Sequence, residues 1–242
     1  MSSSPGIGPQ INPQPLPEQP SARKRWIDLG LVLIIAFADP IVSAVFALFH
    51  PEFAASPMRY PGLSISYLIL RHGTAFLALW YVLSRQQRSI RSIGLEFRFS
   101  DPFKGVGLMI LAFILVAGLH FLVISVDHAF GIVPDTRTVA DAGWKQRSVA
   151  ELIHDFSSPI FEEVLVRGYL MTELIELGKP VAFAIAASVI LQTSYHVYYG
   201  LGRAVALSGV FIVFAAYFAK TRRLTPVILA HLFWDMILYF VK

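Results

Sequence analysis

Residues 105–126 read GVGLMILAFILVAGLHFLVISV, a run without a single Asp, Glu, Lys or Arg. As a helix rising 1.5 Å per residue it is about 33 Å long, enough to cross a hydrocarbon core of about 30 Å. A helix on a soluble protein keeps one polar face for water. This run has none, so its surroundings are lipid or other apolar helices. Working outward, 63–83 and 224–241 read the same way, and 27–49, 159–177, 180–196 and 204–219 complete a set of about seven candidate spans. The segments 180–196 and 204–219 are short, and 159–177 carries charge. Pro and Gly punctuate several of the junctions, as in Gly178-Lys179-Pro180 and Gly200-Leu201-Gly202. The expected fold is therefore all-α, a polytopic transmembrane helical bundle, with no internal repeat.

Composition agrees with that reading. Apolar residues make up 55% of the 242 positions and charged residues only 15%, whereas soluble domains carry about 25% charged residues; mean hydropathy is +0.61. There is no cysteine, which excludes disulfides, thiolate metal sites and Cys nucleophiles. The net charge of +4 is better matched to membrane topology and anionic headgroups than to nucleic acid, so no nucleic-acid partner is expected. The bilayer itself is.

Residues 1–22 are rich in Ser, Pro, Gly and Gln, a composition that cannot bury enough apolar surface to order itself. With the basic cluster Arg23-Lys24-Arg25 they form an expected cytoplasmic tail, 1–25, ahead of a single membrane domain, 26–242. The first apolar run is too long for a signal peptide and no small-residue cleavage site follows it. With the N-terminus in the cytoplasm, as in a bacterial inner membrane, twelve of the 20 Lys and Arg fall inside, six fall outside, and Arg71 and Arg167 lie within spans. The stretch 127–147 is the longest polar connection. Segment 144–156 places Val149, Leu152, Ile153 and Phe156 on one side, as an interfacial helix preceding the fourth span would.

Ionisable groups inside a membrane each cost about 2.5–3.5 kcal/mol on insertion scales and mark sites of function. Glu162, Glu163 and Arg167 lie in the fourth span, His196 ends the fifth, and His231 and Asp235 lie in the seventh. Glu163 and Arg167, four apart, share a helix face and can pair, while Glu162 is turned by about 100° toward another surface. Ser158 and Pro159 read as a cap and first turn, which would set both carboxylates near a helix N-terminus; alternatively Pro159 kinks a longer helix. His231 and Asp235 again share a face. A carboxylate with an imidazole can activate water, and a second imidazole with a polar partner can donate to an oxyanion. The structural alternatives are an ion pair for Glu163 and Arg167, and for His196 an interfacial position beside Tyr195, Tyr198 and Tyr199.

At these residues the chain resembles the CAAX prenyl endopeptidase and bacteriocin-processing (CPBP, Abi) family of intramembrane glutamic proteases. The motif EExxxR is matched by Glu162, Glu163 and Arg167; FxxxH is matched at His196 only, with Gln192 at the Phe position; Hxxx(N/D) is matched by His231 and Asp235. The likeness covers residues 145–242. It implies an endopeptidase in which Glu162 with His196 activates water, His231 and Asp235 form the oxyanion hole, and Glu163 and Arg167 brace the helix. The departure at Gln192 reads as a change of packing. An ionised Asp235 would repel an oxyanion, so Asp235 is expected either to be protonated or to orient His231.

Two His and a Glu would also suit zinc with an open position. There is no HExxH, and Glu151-x-x-His154 stands alone, so the resemblance favours a metal-free, cofactor-free mechanism. The expected partner is a peptide or protein reaching the site from the membrane or its surface. Two other functions fit the same residues: a non-catalytic immunity or scaffold protein, and a proton-coupled transporter.

Overall fold

The computed structural model describes residues 20–50, 61–132 and 149–237. Seven helices follow in chain order: α1 Ala22–Phe49, α2 Pro61–Arg85, α3 Asp101–Ala129, α4 starting as Val149–Glu162, α5 Val181–Ser194, α6 Leu201–Thr221 and α7 Thr225–Ile237. Short 3-10 turns stand at Ile90–Ile93 and Val197–Tyr199. There is no strand among the described residues. The fold is an all-α membrane bundle. Among the described residues four helices are long and apolar enough to cross a bilayer, Ala22–Phe49, Ile65–Arg85, Asp101–Ala129 and Leu201–Thr221, and α5 and α7 are shorter apolar helices. Most of the expected tail, the connection 133–148, residues 144–148 of the amphipathic segment and the last residues of the seventh run lie outside the described residues. The basic cluster Arg23-Lys24-Arg25 forms the first turn of α1.

Large apolar side chains cover the outer faces. Ile34, Ile69, Leu70, Trp80, Ile114 and Phe121 are each more than half exposed, and a contiguous apolar exterior of this kind suits lipid rather than water.

α4 is the centre of the molecule. It does not begin at a Ser158 cap, as one sequence reading had it. The α-helix Val149–Glu162 passes through Pro159, continues as a π-helix over Glu163–Met171, and ends as Thr172–Glu176. The carboxylates therefore sit mid-helix and gain nothing from a helix N-terminus. Nor is 149–156 a separate helix, because it forms the first turns of α4. Proline removes one backbone donor and crowds the preceding turn; here the chain tolerates that, and Ser158 Oγ lies 3.2 Å from His154 Nε2. All nine residues of the π segment are buried. Around α4 stand α2, α5, α6 and α7, while α3 packs on α6 and α7, and α1 on α2 and the Val197–Tyr199 turn.

Ion pairs tie one end of the bundle together. Arg25 at the start of α1 donates to Glu173 (2.9 Å) and Glu176 (2.7 Å) at the end of α4. Arg88, just past α2, joins the same two carboxylates. Asp28 takes Arg85 at 2.8 Å, and buried Asp101 takes Arg223 at 2.6 Å, pinning the start of α3 to the corner after α6.

That corner depends on Gly94. Its φ is +91°, and a Cβ there would lie 2.4 Å from the Arg222 carbonyl oxygen; its own carbonyl accepts the Leu224 amide at 2.9 Å. Substituting Gly94→Ala is expected to cost at least about 1–3 kcal/mol from the left-handed backbone alone, with the clash added, whereas Gly107→Ala on an open face of α3 stays near neutral. Thermal unfolding of the purified variants in detergent measures the difference.

Candidate active site

Glu162 is the last residue of the α-helical part of α4 and Glu163 the first of the π part. The two carboxylates diverge as helix geometry requires. Glu162 Oε2 accepts from Gln192 Nε2 at 2.8 Å and from the Tyr195 hydroxyl at 2.9 Å, both at the end of α5. Glu163 turns inward to fully buried Arg167 on one side and His231 on α7 on the other. Its Oε1 lies 2.8 Å from His231 Nδ1, and its Oε2 lies 3.3 Å from Arg167 Nε.

Arg167 makes three further contacts. Nη1 donates to Gln192 Oε1, Nη2 donates to the Phe211 carbonyl of α6 at 3.2 Å, and the guanidinium lies over the Phe211 ring at 5.7 Å. A guanidinium presents five donors in a fixed fork, and a buried one must have them met. One charge on α4 therefore gathers groups from α4, α5 and α6, with α7 joined through Glu163.

Gln192 corrects the reading made for it. At the position where the family motif has Phe, it serves as a polar bridge. Fully buried, it accepts from Arg167 with its Oε1 and donates to Glu162 with its amide, and its backbone carbonyl lies 2.7 Å from His196 Nδ1. A carbonyl can only accept, so that bond puts a proton on Nδ1 and leaves Nε2 as the basic nitrogen of the neutral ring. A polar residue four positions before His196 inside an apolar run was visible in the sequence; its partners were not.

His231 is oriented by Glu163 and not by Asp235, whose Oδ2 is 3.9 Å from His231 Nε2, beyond hydrogen-bond range. Asp235 is about a quarter exposed and opens to the cavity. His196 is stacked among Tyr198, Tyr199 and Phe211, and it also faces Glu162's cavity. That cavity holds about 300 Å³ and is walled by Arg71, Glu162, Tyr195, His196, His231 and Asp235, with other side chains of α1 and α4. A second cavity, about 420 Å³, adjoins it behind His196 and His231, and Val116, Leu207, Val210 and Trp234 make it mostly apolar. Thus the four expected catalytic residues line one space, while Glu163 and Arg167 stand behind it. Among the described residues no three His, Asp or Glu side chains converge as a metal-holding group.

An independent comparison covers the stretch of chain that holds these residues. Residues 152–237 fit the family model described as type II CAAX prenyl endopeptidase Rce1-like. That stretch of the chain is similar to the Rce1-like endopeptidases. The match bears out the family resemblance, and it spans about a third of the chain, from α4 to α7, leaving α1 to α3 outside. No curated protein and no solved structure matches the chain. The family is one of endopeptidases in an integral-membrane setting, with peptide or protein substrates.

If Arg167 is the hub, its loss should exceed that of its bridge. Arg167→Met leaves Glu163 with His231 alone and takes the donor from Gln192 and the Phe211 carbonyl, and it is expected to cost about 3–5 kcal/mol. Gln192→Leu removes hydrogen bonds to charged groups and is expected to cost about 1–3 kcal/mol. Denaturant titration of the purified protein in mild detergent would report both.

Proposed function

We propose that the chain is an intramembrane endopeptidase that hydrolyses a peptide bond with a water activated by Glu162. The observation that carries this reading is the placing of Glu162. Its Oε2 is held by two donors on α5 while the carboxylate opens into the same cavity as the unprotonated Nε2 edge of His196.

In the proposed reaction a water lies between Glu162 and His196 and loses a proton to the carboxylate as its oxygen attacks the scissile carbonyl carbon. The carbonyl becomes an oxyanion. His231, doubly protonated between Glu163 and Asp235, donates its Nε2–H to that oxygen. Asp235 is not bonded to Nε2, which keeps this donor available. As the tetrahedral intermediate collapses, the C–N bond breaks and Glu162 passes its proton to the departing amine. The products are a carboxylic acid and an amine, and Glu162 is regenerated. Glu163 and Arg167 touch no reacting atom in this scheme; they hold His231 and Gln192 in place.

We also infer a cytoplasmic N-terminus, supported by the gathering of Arg25, Arg85, Arg88 and Arg223 at one end of the bundle.

Glu162→Gln keeps the volume and the hydrogen bonds but removes the base. Cleavage of a membrane-extracted peptide library, read as new termini by mass spectrometry, is expected to fall by about 10²–10⁴, with membrane insertion unchanged and no response to a chelator. Undiminished cleavage by the variant would overturn the mechanism, and loss with the chelator would move the chemistry to a metal.

A further inference from the structure

The connection between α2 and α3 holds three aromatic side chains in the open. Phe97 is 61% exposed, Phe99 91% and Phe103, in the first turn of α3, 80%. Single exposed apolar side chains are ordinary on a protein surface, but three so close together in the chain form a patch that calls for an occupant. α2 ends at Arg85 and α3 starts at Asp101. Both are long and apolar enough to cross a bilayer, so their connection lies at the level of a membrane surface. Phe103 also stands on the side of α3 that exposes Val106, Ile110 and Ile114, spaced as one helix face. The patch is thus continuous with the lipid-facing exterior.

The charge around it is mixed but mostly positive. Segments 89–104 and 220–225 hold six Lys and Arg against Glu96 and Asp101. Asp101 is buried and taken by Arg223 at 2.6 Å. Glu96 lies 3.4 Å from Arg98 with both side chains more than half exposed, so water weakens that pair. Arg91 and Lys104 are exposed as well. Aromatic rings interleaved with cations, as in Phe97-Arg98-Phe99 and Phe103-Lys104, suit the boundary between acyl chains and anionic phosphates.

The same segment is bonded to the corner that begins α7. The Gly94 carbonyl accepts the Leu224 amide at 2.9 Å, the Thr225 hydroxyl donates to the Glu96 carbonyl at 2.7 Å, and Asp101 accepts from Arg223. From Thr225 the helix runs to His231 and Asp235 in the wall of the Glu162 cavity. Whatever fixes the segment therefore also fixes the origin of that helix.

We propose that segment 95–104 docks into the headgroup layer of the surrounding leaflet and binds anionic phospholipid, and that lipid held there steadies the start of α7. Phe97, Phe99 and Phe103 reach the acyl boundary, while Arg98 and Lys104 meet the phosphates. The inference rests on none of the chemistry proposed for Glu162.

Hydrogen–deuterium exchange of the full chain, read by mass spectrometry in nanodiscs, tests both halves without turnover. Replacing about a third of the phosphatidylcholine by phosphatidylglycerol is expected to slow exchange about threefold or more over 94–100 and over 223–229. Arg98→Gln with Lys104→Gln should remove that slowing at both segments. Exchange of this variant in pure phosphatidylcholine should match the wild type, which shows that it is folded. Arg23→Gln with Lys24→Gln, which removes two exposed cations at the start of α1, should leave the slowing intact. Phe97→Ser with Phe99→Ser should speed exchange over 94–100 in both bilayers. Equal exchange of the wild type in the two bilayers overturns the proposal, as does slowing that survives the loss of Arg98 and Lys104 or vanishes equally with Arg23 and Lys24. Serine variants that exchange like the wild type would remove the aromatic anchor, and slowing confined to 94–100 would refute the link to α7.

Discussion

A guanidinium sealed inside a membrane protein has to be answered by its neighbours, and in this chain that demand organises the active half. Arg167 is fully buried and is met by Glu163, Gln192 and the Phe211 carbonyl. Each comes from a different helical element. Removing one partner from such a set costs more than the set is worth as a whole, because the remaining charge keeps its desolvation penalty. The groups that hold Arg167 are the same ones that hold the cavity residues: Glu163 orients His231, and Gln192 orients Glu162 and His196. Structural support and chemistry are therefore coupled through shared side chains.

The form of α4 makes this possible. Adjacent glutamates on an ideal helix are turned by about 100°, so one can face a cavity while the other faces the interior. The change to π geometry begins at Glu163, and π segments are rare and frequent at functional sites. Its nine residues are all buried, and Glu163 and Arg167 pair with one another among them. The cavity in front is asymmetric, with Arg71 and Asp39 toward α1 and α2 and a mostly apolar pocket, which also holds Arg203, toward α3, α6 and α7.

Some of this was legible in particular residues. The charge-free run 105–126 sits within α3, and the spacing of Glu163 with Arg167 and of His231 with Asp235 put each pair on one face. Other readings failed for local reasons. Ser158-Pro159 has the chemistry of a helix start, yet α4 runs through it, because proline's missing donor is a modest loss when the helix is held on several sides by packing. Gln192 reads from the sequence as a packing change, because it stands where the motif has Phe. Its partners lie 25 and 30 residues away in the chain.

The sequence by itself determined that this protein is a helical membrane bundle, which residues bear charge within it, and which of them share a helix face. Helix periodicity and the cost of polar groups in hydrocarbon suffice for that. The tertiary structure decided which face meets which: that Glu163 rather than Asp235 orients His231, that Gln192 joins Arg167 to Glu162, and that Phe37, Pro40 and Arg71 from the first half wall one cavity with residues of the second. In water, amphipathic patterning would have pointed each helix toward the core. In lipid, the outside is as apolar as the inside, so the pattern carries little direction, and only packing and the pairing of buried charges set how each helix is turned.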